Sequence, residues 1–382
     1  MKRVGCIVLL LVILAGALSF PGQAADLQTP GKSAVLMDVA TGTVLYESNP
    51  HERLAPASVT KIMTMLLIME AIDSGKISWD DMVTASEAAA AKGGSQVYLK
   101  VGETMSVRDM LKSIAVSSAN DCAYAMAEHL AGSEGAFVER MNKRAQELGM
   151  TNTHFVNCTG LDDAPEASEH RTSARDIAIM SRELLKNHPD IKKFTTIWMD
   201  TIRNGAFGLS NTNKMVRFYS GATGLKTGFT SGAGYCLSAS AQRDGLELVA
   251  VVMGAESSTV RFAACKQLLD YGFANYALYT PELPGEARVA VRLGRTDGVN
   301  AVLRGDNAIL VEKGARSGIT SEVSLEGTVT APVAGGQRLG TLTIRSNDRV
   351  LAELPLVAEA AVERVDWGDL FVRILKRVAM AG

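Results

Sequence analysis

Ser58-Val59-Thr60-Lys61 sets a hydroxyl three residues ahead of an amine, at the head of an apolar, helix-spaced run. Side chains three apart share one face of a helix, so the two can meet. Serine at its ordinary pKa is a poor nucleophile and needs a base. Lysine serves as that base only when neutral. Burial and a second cation, here Lys226, both push an amine in that direction. The positive end of the helix that starts near Ser58 pushes the same way. Ser118-Ala119-Asn120 and Lys226-Thr227-Gly228 follow in order, and each of the three patterns occurs once. Ser118 can pass a proton to a leaving amine, while Asn120 can hold the lysine and a substrate carbonyl. Lys226 and Thr227 suit a terminal carboxylate. Gly228 lets substrate backbone approach the strand, where main-chain hydrogen bonds would read an extended peptide. The backbone N–H groups of Ser58 and Phe229 are candidate oxyanion donors. A lone S-x-x-K is weak, because serine at a helix start is commonly a cap. The ordered triple, the first on a helix and the last opening a strand, specifies acyl transfer through a serine ester. This chemistry calls for no metal and no cofactor.

These residues need a scaffold. Ser33–Val39 and Thr43–Tyr46 flank Ala40-Thr41-Gly42 and read as a β-hairpin. Pro56 precedes a helix expected from Ser58, with Ile62, Met65, Leu66, Met69 and Ile72 at helical spacing and Gly75 as its stop. Met63 and Ile68 lie off that stripe, so the helix should be buried in mid-domain. Residues 79–185 read mostly as helices, including an alanine-rich stretch at 85–91 and a loop at Lys92-Gly93-Gly94-Ser95. Further helices are expected over 107–114, 121–130 and 135–148, and after the cap-like Thr172-Ser173-Ala174-Arg175-Asp176. Beyond Phe194 the pattern turns to strands. One opens at Leu225, and 234–242 and 246–253 pair across Arg243-Asp244-Gly245. A helix is expected over 259–278. Strands on both sides of a helical block imply an antiparallel sheet into which that block is inserted.

At 382 residues the chain has room for two or three domains. Residues 1–24 read as a secretory signal: a basic Met1-Lys2-Arg3, an apolar run from Ile7 to Leu18, and small residues before a cut after Ala24. The run is short for a membrane span, which ranks the alternative, an uncleaved anchor, behind a cleaved signal. Work outside the cytoplasmic membrane follows. The net charge of −2 gives a general affinity for nucleic acid no support. Cys122, Cys158, Cys236 and Cys265 form no C-x-x-C pair, which argues against a zinc knuckle or redox dithiol. An oxidising compartment permits a disulfide, although single cysteines in apolar contexts are more often small core residues. Pro281–Gly285 is a linker, and 286–363 reads as a small β domain of short strands and glycine-rich turns. In 364–382, Trp367, Leu370, Phe371, Ile374, Leu375 and Val378 form an apolar stripe, with Arg373, Lys376 and Arg377 away from it. That amphipathic helix is too short to span and suits an anionic membrane surface. The bland alternative is a helix packed on its own β domain.

On its three motifs the sequence resembles the low-molecular-mass penicillin-binding proteins, the D-alanyl-D-alanine carboxypeptidases of bacterial cell walls. Thr151-Asn152-Thr153-His154-Phe155, Gly160-Leu161-Asp162, Ser173-Ala174-Arg175-Asp176 and Ala233-Gly234-Tyr235 extend the likeness over nearly all the mature chain. The resemblance implies an α+β core of the penicillin-binding and serine β-lactamase type over 25–280, then the all-β domain and the amphipathic anchor. It implies a peptidoglycan stem peptide ending in D-Ala-D-Ala as substrate and β-lactams as covalent inhibitors. Ser58 becomes the nucleophile, Lys61 the general base, Ser118 and Asn120 the proton relay, and Lys226 the carboxylate anchor. Arg261, after Gly254-Ala255-Glu256, joins it at the carboxylate. Phe229 stands where some relatives carry histidine; since only its backbone serves the oxyanion, activity should survive.

A class A β-lactamase shares the motifs, but no convincing glutamate-bearing segment lies between Asn120 and Lys226 to activate a deacylating water. A transpeptidase or D,D-endopeptidase differs only in acceptor or leaving group. A non-catalytic wall-binding protein would have shed the serine or the lysine, and this chain keeps both.

Overall fold

The computed structural model describes residues 27, 29–163, 165–305, 307–347, 349–368 and 371. The expected signal and all but the start of the expected C-terminal helix lie outside the described residues. Trp367 and Gly368 are helical, and the Trp367 side chain is 88% exposed.

A five-stranded antiparallel sheet runs in the order Val44–Ser48, Ser33–Asp38, Leu246–Ala255, Gly234–Arg243, Ala222–Thr230. The first hairpin therefore lies beside a strand drawn from two hundred residues later, with Val35 opposite Val251. The helical block is inserted between the two halves, as the sequence implies. Both faces of the sheet are covered. Val35, Met37, Val249 and Val251 point into the larger core, built with the helices Lys61–Asp73, Val107–Ser117, Asn120–Ala131 and Ala174–Asn187. Their neighbours Ala34, Leu36, Leu248 and Ala250 point to the other face, under the helix Ser258–Asn275. This is the period-two alternation of a strand, here apolar on both sides. The turn between 243 and 246 puts Asp244 at φ +48° and Gly245 at φ +83°, the left-handed pair that a tight hairpin demands. Among the described residues serine oxygens cap five helices, Ser86, Ser106, Ser133, Ser173 and Ser257 each accepting from the N–H three residues on.

Three expectations need correction. The central helix does not begin at Ser58. A 3-10 turn, Ala57–Thr60, precedes the α-helix Lys61–Asp73. The alanine-rich stretch 85–91 yields only the short helix Glu87–Ala90, because Gly93-Gly94 follow and a small strand pair, Met82–Thr84 with Thr104–Ser106, brackets it. The last helix of the core stops at Asn275. Tyr276–Tyr279 continues as a strand and pairs with Ile309–Glu312; the aromatic and aliphatic alternation there fits a ladder better than a helix.

The C-terminal domain is all-β. Its six-stranded sheet runs Ile319–Leu325, Arg338–Ser346, Arg349–Ala358, Gly298–Leu303, Arg288–Arg292, Thr328–Thr330. Val289, Ala301, Leu339, Leu342, Ile344 and Leu356 form its separate core. Among the described residues no helix is long and apolar enough to cross a membrane.

Candidate active site

The 3-10 turn decides the first pair. At three residues per turn, positions i and i+3 eclipse, so Ser58 and Lys61 stand one above the other. Lys61 Nζ lies 2.9 Å from Ser58 Oγ and donates to the Thr159 carbonyl at 2.8 Å. Ser58 is half-buried at the cleft while Lys61 has no exposed surface. Burial disfavours the charged amine and pulls its pKa down from 10.5 to about 7, with Cys158 and Asp121 opposing the shift. Desolvation, rather than a neighbouring cation, does most of this.

Ser118 follows the helix Val107–Ser117 in the left-handed region, φ +63°. That turn aims a buried Oγ with no protein partner. Asn120 opens the next helix. Its Nδ2 donates to Gly93 O at 2.7 Å, its own N–H donates to Ser95 O at 2.7 Å, and its buried Oδ1 has no protein partner. Such orphaned polar atoms are rare in folded interiors, and a bound partner is one explanation for them. Asp121 accepts from Val97 N, Leu99 N and Cys122 N, which pins the 93–99 loop against the two motif residues before it.

The third motif lies on Ala222–Thr230, the outermost strand of the sheet. Lys226 is fully buried, its Nζ bonded to Thr227 O at 3.0 Å. Burial first, then the positive charges of Lys61 and Arg261, hold its pKa well below the ordinary lysine value. Thr227 Oγ1 donates to Thr212 Oγ1 at 2.7 Å. A Cβ on Gly228 would sit 2.7 Å from Pro56 O, so glycine is what lets the strand close on the serine turn. Phe229 is 53% exposed and its ring stacks on Tyr235 with centroids 4.3 Å apart. Arg261 is nearly buried and donates through Nη1 to the carbonyls of Gly228 at 2.8 Å and Cys236 at 3.1 Å, while its Nε has no partner. In this state Arg261 braces the motif strand.

The serine turn thus meets the motif strand at Gly228, Lys61 and Lys226 lie close enough for their charges to oppose each other, and Asn120 is held against the Gly93-Gly94 loop. Sequence reasoning missed Thr159, Thr212 and Asp121. They act through a carbonyl, a hydroxyl behind the strand and a clamp on loop backbone, none of which has a local pattern. Of the described residues, Glu70, Glu183 and His188 come within metal-ligand distance of one another. Arg144 already bridges the two glutamates at 2.7 and 2.6 Å, and Asp73 pairs with the histidine.

Residues 21–257 match the family model described as D-alanyl-D-alanine carboxypeptidase, and 284–364 match the C-terminal domain of penicillin-binding protein 5. The chain is 43% identical to D-alanyl-D-alanine carboxypeptidase DacF of Bacillus subtilis over 93% of its length and 90% of that protein's. It is 34% identical to DacC of Escherichia coli over 91% and 87%. Penicillin-binding protein 5 of Haemophilus influenzae superposes with a TM-score of 0.77 at 33% identity, over 88% of this chain and 98% of that one. Penicillin-binding protein D2 of Listeria monocytogenes, solved with ampicillin bound, gives 0.60 at 32% identity, over 65% of this chain and 100% of that one. On these matches the chain belongs to the D-alanyl-D-alanine carboxypeptidase family of serine peptidases, the low-molecular-mass penicillin-binding proteins.

Proposed function

We propose that this serine D-Ala-D-Ala carboxypeptidase works through Ser58 as nucleophile with neutral Lys61 as its base. The observation that carries the assignment is the 2.9 Å approach of Lys61 Nζ to Ser58 Oγ, in a site where the amine's pKa falls to about 7. A peptide ending in D-Ala-D-Ala lies along the open edge of Ala222–Thr230 with its carboxylate toward Lys226, Thr227 and Arg261. Lys61 takes the Ser58 hydroxyl proton as Oγ bonds to the penultimate carbonyl carbon. The N–H groups of Ser58 and Phe229 receive the oxyanion. The C–N bond then breaks as the proton held by Lys61 passes through the Ser118 hydroxyl to the departing D-alanine nitrogen, with Asn120 Oδ1 free to accept a hydrogen bond that orients this relay, and the acyl ester stays on Ser58. Water then attacks the ester, its proton passing to Lys61, and Ser58 is regenerated.

A β-lactam presents the same carbonyl and carboxylate and would stop at the Ser58 ester; the ampicillin-bound Listeria relative supports this reading. The mature chain has its catalytic unit over 25–280 and its β domain over 286–363. It acts outside the cytoplasmic membrane, and the segment 364–382 docks on an anionic leaflet. The apolar stripe of that segment and the exposed Trp367 support the docking.

Incubating the enzyme with penicillin and mapping the adduct by peptide mass spectrometry tests the core of this. Adduct on the peptide holding Ser58, with D-alanine released from a D-Ala-D-Ala peptide and neither seen in Ser58→Ala, is the expected result. Adduct elsewhere, or rapid turnover of the penicillin, would overturn it.

A further inference from the structure

The residue before the nucleophile is held in an uncommon conformation. Ala57 has φ +49°, a left-handed backbone that costs a residue with a Cβ roughly 1 kcal/mol or more. Something must over-determine it. Thr60 Oγ1 donates to the Ala57 carbonyl at 2.8 Å. His170 Nε2 lies 2.8 Å from the same Thr60 Oγ1, and both side chains are buried. The direction of these bonds is fixed. His170 Nδ1 accepts from the Val156 N–H at 3.1 Å, so the ring is neutral with its proton on Nε2. The Thr60 hydroxyl spends its own proton on Ala57 O and must accept from Nε2–H. The chain therefore runs from Val156 N–H to His170, to Thr60, to Ala57 O. The rings of Phe155 and His170 meet in a T-shaped contact with centroids 5.6 Å apart. Gly160 closes the far side, where a Cβ would fall 1.9 Å from Ala57 O.

The Ala57 carbonyl shares its peptide plane with the Ser58 N–H. A trans peptide sets the two in opposite directions. Anchoring the carbonyl inward, against Thr60 and Gly160, turns the Ser58 N–H outward. We infer that His170 and Thr60 are positioning residues for the oxyanion hole: through the Ala57 carbonyl they aim the Ser58 amide at the charge that develops on the substrate oxygen. Neither touches substrate. The inference rests on the assignment of Ser58 N–H as an oxyanion donor.

Isosteric substitutions separate aim from packing. Asparagine at 170 can still accept from Val156 N–H but lacks the Nε2–H, whereas glutamine places an amide nitrogen near Nε2. Valine at 60 keeps the shape and loses the hydroxyl; serine keeps the hydroxyl. His170→Asn and Thr60→Val should each lower kcat for D-alanine release, and the rate of penicillin acylation, by about ten- to a hundredfold, below the ceiling for losing an oxyanion donor outright. KM should stay within about twofold, because the interaction matters only once charge develops. His170→Gln and Thr60→Ser should recover most of the rate, and Thr60→Val with His170→Asn should be no worse than the poorer single variant. Circular dichroism and Tm are measured on every variant. Unchanged acylation in both Asn and Val variants overturns the inference, as does a loss that tracks the unfolded fraction or falls on KM alone. All ratios are taken to wild type. A wild type that neither releases D-alanine nor acylates on Ser58 would instead sink the functional reading.

Discussion

A lysine without exposed surface and with a proton affinity near neutrality is expensive to fold around. In the unfolded chain Lys61 keeps its ordinary pKa, 10.5, and in the cleft it falls to about 7. The folded state therefore binds fewer protons, and stability is lost as pH falls from the first value toward the second. Lys61→Met fits the same volume without that demand. It should abolish D-alanine release as fully as Ser58→Ala, a loss of several orders of magnitude, while raising Tm at pH 7 in a calorimeter; a fall in Tm would contradict the argument. On the proposed mechanism the same pKa sets the acid limb of catalysis. Below about pH 7 the base is protonated, and kcat/KM should fall by about tenfold per pH unit. On the proposed mechanism Phe229 contributes its backbone N–H, and its exposed ring stacks on Tyr235. Phe229→Ala should cost far less than either motif substitution.

His170 titrates differently. Burial, helped by His154, Arg171 and Lys61, lowers its pKa from 6.5 to about 3. Its share of stability is present above 6.5 and lost as pH falls toward 3, at up to about 1.4 kcal/mol per pH unit. His170→Gln should flatten the wild-type decline of unfolding free energy across that window, read by urea titration at several pH values.

At the scale of elements, the cleft is assembled by close backbone approaches. The strand edge reaches the serine turn at Gly228, and the 157–161 loop reaches it at Gly160, whose φ of +81° no ordinary residue adopts cheaply. Gly160→Ala should push Ala57 and the serine turn outward, with a slowed penicillin adduct and a Tm drop of several degrees. The motifs were legible because each is local: S-x-x-K is a turn, K-T-G is a strand opening, and the D-G hairpin announces itself. The Lys61 anchor was not, since Thr159 lies 98 residues away and offers only a carbonyl. Nor was the 3-10 turn at the start of the central helix, because the apolar spacing of Ile62 to Ile72 is silent about the residues before it. The strand Tyr276–Tyr279 was absorbed into the expected helix because its partner, Ile309–Glu312, lies beyond the linker.

At the scale of the whole molecule, that strand pairing and the bond from Lys313 Nζ to Phe273 O at 2.7 Å join the carboxypeptidase core to the β domain. Among the described residues, none that the proposed mechanism uses lies beyond that seam. Cutting the chain after Thr280 should leave Ser58 acylation within about threefold of wild type and lower Tm, since Tyr276 and Leu278 lose their cover.

Cys122, Cys158, Cys236 and Cys265 are all reduced and buried. Burial raises the pKa of each thiol, so little reactive thiolate forms. No crosslink among the described residues waits on an oxidant, a shuffling enzyme or a particular redox poise. Denatured enzyme diluted from urea with a thiol reductant present should regain penicillin labelling as fast as without it, which would make production in an ordinary reducing cytosol sufficient for a working catalyst.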